Sequence, residues 1–168
     1  MNKIKRTSPD KVNGKLVKYR QGDCLSIDCK NGMYLGILIS DKYNKYYDFT
    51  LIEFYKNTKP QLADFVNGKF FGTRFGSWEE FLQYAVTIKM INCKYVDSKT
   101  DIEKVGELAL TTTFKPDGHS YINDIDELLA FYLEELPIRI EKSRNAEKFP
   151  ALAFVSKHLV EMKFIIAG

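Results

Sequence analysis

The chain has 168 residues, of which 45% are hydrophobic, enough to bury one core and too few to suggest several domains. Its net charge of +3 is unevenly placed: residues 1–20 hold seven Lys or Arg against Asp10, so the remaining residues sum to −3. No apolar run approaches the roughly 20 residues that cross a bilayer, and no apolar leader follows the basic start, so a cytoplasmic protein without membrane contact is expected. Cys24, Cys29 and Cys93 are odd in number and lie in strand-like sequence, which argues for reduced thiols and against a disulfide framework.

In chain order, residues 1–14 are turn-formers without apolar periodicity and read as a flexible basic arm, ahead of a single domain over 15–168. The stretch Arg20 to Tyr55 then holds three strand-like runs. Cys24 to Ile27 and Tyr34 to Ile39 flank Lys30-Asn31-Gly32, where a type I′ hairpin turn at Asn31-Gly32 is expected, and Gly36 marks a bulge or bend. Beyond the polar turn Asp41 to Lys45, Tyr46 to Tyr55 alternates as a third antiparallel strand. Asn57 to Gly76 reads as a loop with a short strand near Lys69 to Arg74, and Ser77-Trp78-Glu79-Glu80 fits a capping box on a helical turn that carries Trp78. Further strands are expected over Ala85 to Tyr95 and Glu107 to Phe114, the latter ended by a turn at Lys115-Pro116-Asp117-Gly118 that would hold His119.

A helix capped by Asn123 places Ile125, Leu128, Leu129, Tyr132, Leu133 and Leu136 on one apolar stripe, with Asp124, Asp126, Glu127, Glu134 and Glu135 on the remaining surface. Pro137 ends or kinks it. After Pro150, Leu152, Val155, Leu159 and Met162 have helical spacing, while Lys163 to Ile166 resembles a closing strand. The fold class is therefore α+β: an N-terminal antiparallel β-meander or small curved barrel-like sheet with a C-terminal amphipathic helical region.

Catalytic signatures are missing. His119 and His158 have no Cys or His at metal-ligand spacing, and Cys24 and Cys29 would point to opposite faces of a strand, so neither metal nor cofactor is expected. The sequence contains neither a P-loop nor a dinucleotide fingerprint, and buried strand cysteines are poor nucleophiles. The carboxylates of the helix suit recognition of a basic partner better than acid–base work, because a row of like charge speeds encounter without needing a cleft. Lys42-Tyr43-Asn44-Lys45-Tyr46-Tyr47 and Lys69 to Arg74 interleave cations with aromatics, a weaker signal for a small-barrel nucleic-acid-binding module.

The segment Tyr19 to Ile27, with its Gly22-Asp23 step, followed by Gly32 and Tyr34-Leu35-Gly36-Ile37-Leu38, resembles the opening of the Immunity protein 26 family. The likeness covers the N-terminal third, and Asp28-Cys29-Lys30 departs from the proline-containing strand end of that pattern. The resemblance implies a protein that is not an enzyme and that binds and neutralises a cognate bacterial toxin. A basic nuclease domain would suit the acidic helix. The residues expected to meet this partner are Asp124, Asp126, Glu127, Glu134, Glu135, Tyr43, Tyr47 and Trp78.

Overall fold

A computed structural model describes residues 11–12, 15–76, 82–111, 114–146 and 159–167, with side chains placed for 17–72, 89–111, 120–142 and 159–167. The expectations for the start of the arm, the capping box with Trp78, and His158 lie outside the described residues. Within them, ten strands and a long C-terminal helix form an α+β fold. A small antiparallel pair, β1 (Lys11–Val12) and β2 (Lys15–Leu16), precedes the main sheet.

That sheet has eight strands, in the order β10 (Leu159–Glu161), β6 (Lys69–Gly76), β7 (Leu82–Asn92), β5 (Tyr46–Lys56), β4 (Tyr34–Tyr43), β3 (Asp23–Asp28) and β8 (Ile102–Glu107), with β9 (Phe114–Ile122) pairing to β7. All pairs are antiparallel except β7 with β9. The first half of β5 pairs with β7, while Ile52 in its second half meets Phe70 of β6, so the sheet folds over along β5 instead of lying flat. Opposite this corner, β4 slips register against β5 beside Gly36 and again beside Ser40. Gly36 is required there because a Cβ would meet the Phe65 ring at 3.3 Å. Ser40 keeps its bulge satisfied: its hydroxyl donates to the Asp48 carbonyl and accepts from Thr50, and its carbonyl accepts from the Gln21 amide.

Strict alternation then gives each face of the sheet its own core. Leu25, Ile27, Leu35, Ile37, Ile39, Tyr47, Phe49 and Leu51 face one cluster, which the long helix closes through Leu128, Phe131 and Leu136. Cys24, Leu38, Ile52, Phe54 and Phe70 face a second cluster, covered by α1 (Leu62–Val66) through Phe65 and by a 3₁₀ turn (Met162–Phe164) through Met162. Cys24 and Cys29 pack against different clusters, as the alternation predicts. Each fully buried Leu, Ile or Phe of these lists contributes roughly 1.5–3 kcal/mol by leaving water.

Several local expectations are corrected. The β3–β4 hairpin exists, but its loop spans residues 29–33 with positive φ at Lys30 (59°) and Gly32 (86°), so Asn31-Gly32 is not a two-residue type I′ turn. The Asp28 and Asn31 side chains accept the amides of Lys30 and Met33 and fix this longer loop. The two-residue turn is instead Asn44-Lys45, with Asn44 at φ 54° and Tyr43 opposite Tyr46. Cys93 and Tyr95 leave the expected strand: Cys93 precedes and Tyr95 lies in α2 (Lys94–Asp97). Lys115 to Gly118 runs inside β9 beside β7, and Lys163 to Ile166 forms a 3₁₀ turn and a bridge to Leu110. The short helix α1 was not legible in the run between Asn57 and Gly68.

The long helix comprises α3 (Asp126–Ala130), a π turn (Phe131–Glu135) and α4 (Leu136–Ala146). It does not end at Pro137. The Leu136 amide reaches back five residues to the Phe131 carbonyl, which widens the turn just before the proline that lacks an N–H. The extra residue also shifts the helix phase. Phe131 enters the core at 4% exposure, whereas Leu133, expected inside, is 48% exposed.

Candidate functional site: an acidic cleft beside the helix start

The helix begins where β9 leaves the sheet, and Asp124 rather than Asn123 caps it, with one carboxylate oxygen accepting the Asp126 amide at 2.9 Å. This start packs Ile125 and Leu129 against Ile27 and Leu35 on the face of the helix-side core. The β3–β4 loop and the loop before β8 rise around the same point, because the Asp28 amide bonds the Asp101 carbonyl at 2.9 Å. Between them lies a cleft of about 300 Å³ with an apolar floor of Ile27, Leu35, Ile125 and Leu129. Its rim carries four carboxylates, Asp28, Asp101, Asp124 and Asp126, against the two ammonium groups of Lys30 and Lys99. Lys30 stands 3.7 Å from Asp101, the lysine well exposed, so the pair is worth little and leaves the cleft acidic.

Cys29 lines the same cleft, half-buried, with its thiol pushed above the usual value first by burial and then by Asp28, with smaller contributions from Asp126 and Asp101. A thiol held protonated by carboxylates is a poor nucleophile. Burial likewise raises Cys93 to about 11, with Asp97 adding to it. The chemistry available here is electrostatic attraction of a cation that can also lay apolar surface on the floor. Among the described residues, no group of three or more His, Cys, Asp or Glu is placed to hold a metal ion. No described helix is long and apolar enough to cross a membrane.

The fold thus brings Asp124 and Asp126 together with two carboxylates, Asp28 and Asp101, that sequence reasoning did not select. Glu127 is exposed on the same helix, and Glu134 and Glu135 are exposed one turn and more beyond, Glu135 lying 3.9 Å from Arg139. Tyr43 is 71% exposed at the β4–β5 turn, on the opposite face of the sheet from the cleft. Tyr47 corrects its expectation, being fully buried. Its hydroxyl donates to Asp97 at 2.6 Å and accepts the Tyr19 amide at 3.0 Å, so it ties the N-terminal segment to α2 instead of meeting a partner. Asp28 carried a faint signal as the acidic member of a polar strand end, whereas Asp101 carried none, because only the β3–β8 pairing brings it to the cleft.

A second concavity of about 420 Å³ lies between sheet and helix, floored by Phe71, Tyr132, Leu136 and Ile140 and flanked by Glu53 and Glu141. Burial, and then Glu53, raise the Tyr132 phenol to about 12. Lys89 also emerges only from the structure: it donates to Ser120 at 2.8 Å and lies 3.7 Å above the Phe131 ring, with burial lowering its pKa. This contact fastens β7 and β9 to the π turn.

The Gly22-Asp23 step that carries the family resemblance proves structural. Gly22 adopts φ +91° and sits so close to the Leu108 carbonyl that a Cβ would lie 2.1 Å from its oxygen. Asp23, 1% exposed, accepts the Arg20 amide and pairs with Lys104 at 3.2 Å. Comparison of the chain with family models, curated proteins and solved structures finds no match.

Proposed function

We propose that the protein is an immunity-type inhibitor that binds a cognate bacterial toxin domain in the cytoplasm and blocks it by protein–protein contact. The observation that carries this reading is the convergence of Asp28, Asp101, Asp124 and Asp126 on an apolar-floored cleft beside an acidic helix. A basic toxin domain would be steered to this end by long-range attraction and held by an Arg or Lys whose stem covers the floor while its head meets the carboxylates. Raised thiol pKa values at Cys29 and Cys93 support binding over thiol catalysis. The resemblance of residues 19–39 to the Immunity protein 26 family points to the same class.

The experiment is a pull-down of the purified protein against the polypeptide encoded immediately upstream, paired with rescue of growth when that polypeptide is expressed. A stable complex with rescue is the expected result. Absence of both overturns the reading.

A further inference from the structure

The face of the sheet opposite the cleft carries a row of tyrosines that the acidic site does not use. Tyr43 and Tyr46 are direct cross-strand partners flanking the Asn44-Lys45 turn, so their side chains share one face. Tyr47 and Ile122, the next residues along β5 and β9, belong to the helix-side core, which sends Tyr46 and Tyr121 to the other face. There the Tyr46 and Tyr121 rings meet edge to face, 5.4 Å between centroids, across β7. Neither α1 nor the 3₁₀ turn reaches this end of the sheet. Tyr43 is 71% and Tyr121 66% exposed, a large cost in bare aromatic surface for a face with no ligand.

The charges beside the rings are cationic. The Lys45 ammonium lies 5.7 Å from the Tyr46 ring centre, and the Lys42 ammonium bonds the Asn44 carbonyl at the turn. The Cys93 amide bonds the Lys45 carbonyl, which brings Lys94, exposed and 5.0 Å over the Tyr95 ring, to the same edge. Asp41 is the exposed carboxylate on this hairpin, facing three lysines. Such a rim repels the basic partner that the cleft would attract, so the two surfaces call for different ligands.

We propose that this tyrosine row is a docking platform for single-stranded nucleic acid, with bases stacked on Tyr43, Tyr46 and Tyr121 and phosphates set against Lys42, Lys45 and Lys94. Rings spaced across neighbouring strands offer successive stacking positions, and a flat sheet face accepts an unpaired strand but not the stacked interior of a duplex. Because stacking ignores base identity, the platform has little sequence preference.

The test is fluorescence anisotropy of the purified full chain with labelled oligo(dT), oligo(U) and a duplex of equal length. Both single strands bind at about 50 mM salt and weaken toward about 200 mM as counterions are released. Comparison of the two sets the preference between DNA and RNA. Tyr43→Ala combined with Tyr121→Ala lowers affinity at least about fivefold at fixed salt, in a variant whose thermal melt is unchanged because both rings are exposed. Lys45→Gln flattens the salt dependence while leaving stacking in place. No binding at any salt, equal binding of the duplex, or full affinity in the alanine variant each overturns the proposal. So does loss of a protein partner by that variant when no oligonucleotide binds, which would make the row a protein-binding surface. None of these readouts involves the toxin, so the platform and the inhibitor reading stand or fall separately.

Discussion

The Tyr19–Tyr47–Asp97 network and the cleft of Asp28, Asp101, Asp124 and Asp126 both gather polar groups beside the helix-side core, yet they use them in opposite ways. In the network each group is satisfied from within: Tyr47 donates to one Asp97 oxygen, and the amide of Lys18 reaches the other at 3.3 Å. In the cleft, four carboxylates stand over an apolar floor with two lysines to balance them. Internal pairing spends charge on holding the N-terminal segment in place, whereas unbalanced charge at a concave surface is available to a partner. Substitutions in the first region should therefore show up as lost stability, and substitutions in the second as lost association.

The largest effect is expected where the buried region meets the backbone. Gly22→Ala must place a Cβ against the Leu108 carbonyl at a φ of +91°, and should cost more than about 3 kcal/mol in urea unfolding. Tyr47→Phe comes next. It removes a donor to a carboxylate and an acceptor for the Tyr19 amide while keeping the ring, for a loss of about 2 kcal/mol. A double-mutant cycle with Asp97→Asn should find most of that loss shared between the two residues. Independent, additive losses would show that the network does not act as a unit.

The same region sets an alkaline limit. Cys93 is raised from 9.0 to about 11 and Tyr19 from 10.0 to about 12, both chiefly by burial with Asp97 next, and Tyr47 is raised further, by burial and by its bond to Asp97. A group whose folded pKa lies above its unfolded value stabilises the fold fully below the unfolded pKa, and that contribution disappears as pH rises toward the folded one. Stability should hold to about pH 9 and then fall, by up to about tenfold in the folding constant per pH unit for each group titrating. Cys93→Ala should move the onset to about pH 10. An onset unchanged in this variant would remove the thiol from the account.

How far the sequence discloses each region follows from the same contrast. The three strands of Arg20 to Tyr55 were legible because alternation is local, and Gly36 and Gly22-Asp23 stood out because a bulge and a close backbone approach leave a glycine behind. Tyr47 was misread because alternation shows which residues share a face but not which face is covered. Leu133 was misread for a different reason: a π turn ahead of Pro137 adds one residue to the period, and Phe131 takes the buried place. The cleft was half legible. Asp124 and Asp126 announce themselves on an amphipathic helix, while Asp28 and Asp101 join them only through pairing between β3 and β8, about 70 residues apart, a separation at which no local pattern operates.

The smallest stability effect and the most selective binding effect are expected at Asp126. Its carboxylate is exposed at the helix start and lines the cleft, while the capping bond there belongs to the Asp124 side chain. Asp126→Lys should change stability by no more than about 0.5–1 kcal/mol, the part due to a cation at a helix N-terminus. Against the basic toxin domain proposed above, the same substitution should slow association about tenfold at low salt, and the difference should shrink as salt screens the cleft. Stopped-flow mixing at two ionic strengths reads both. A tenfold loss that persists undiminished in high salt would mean that Asp126 acts through a desolvated contact instead of steering, and would place the partner's cation inside the cleft.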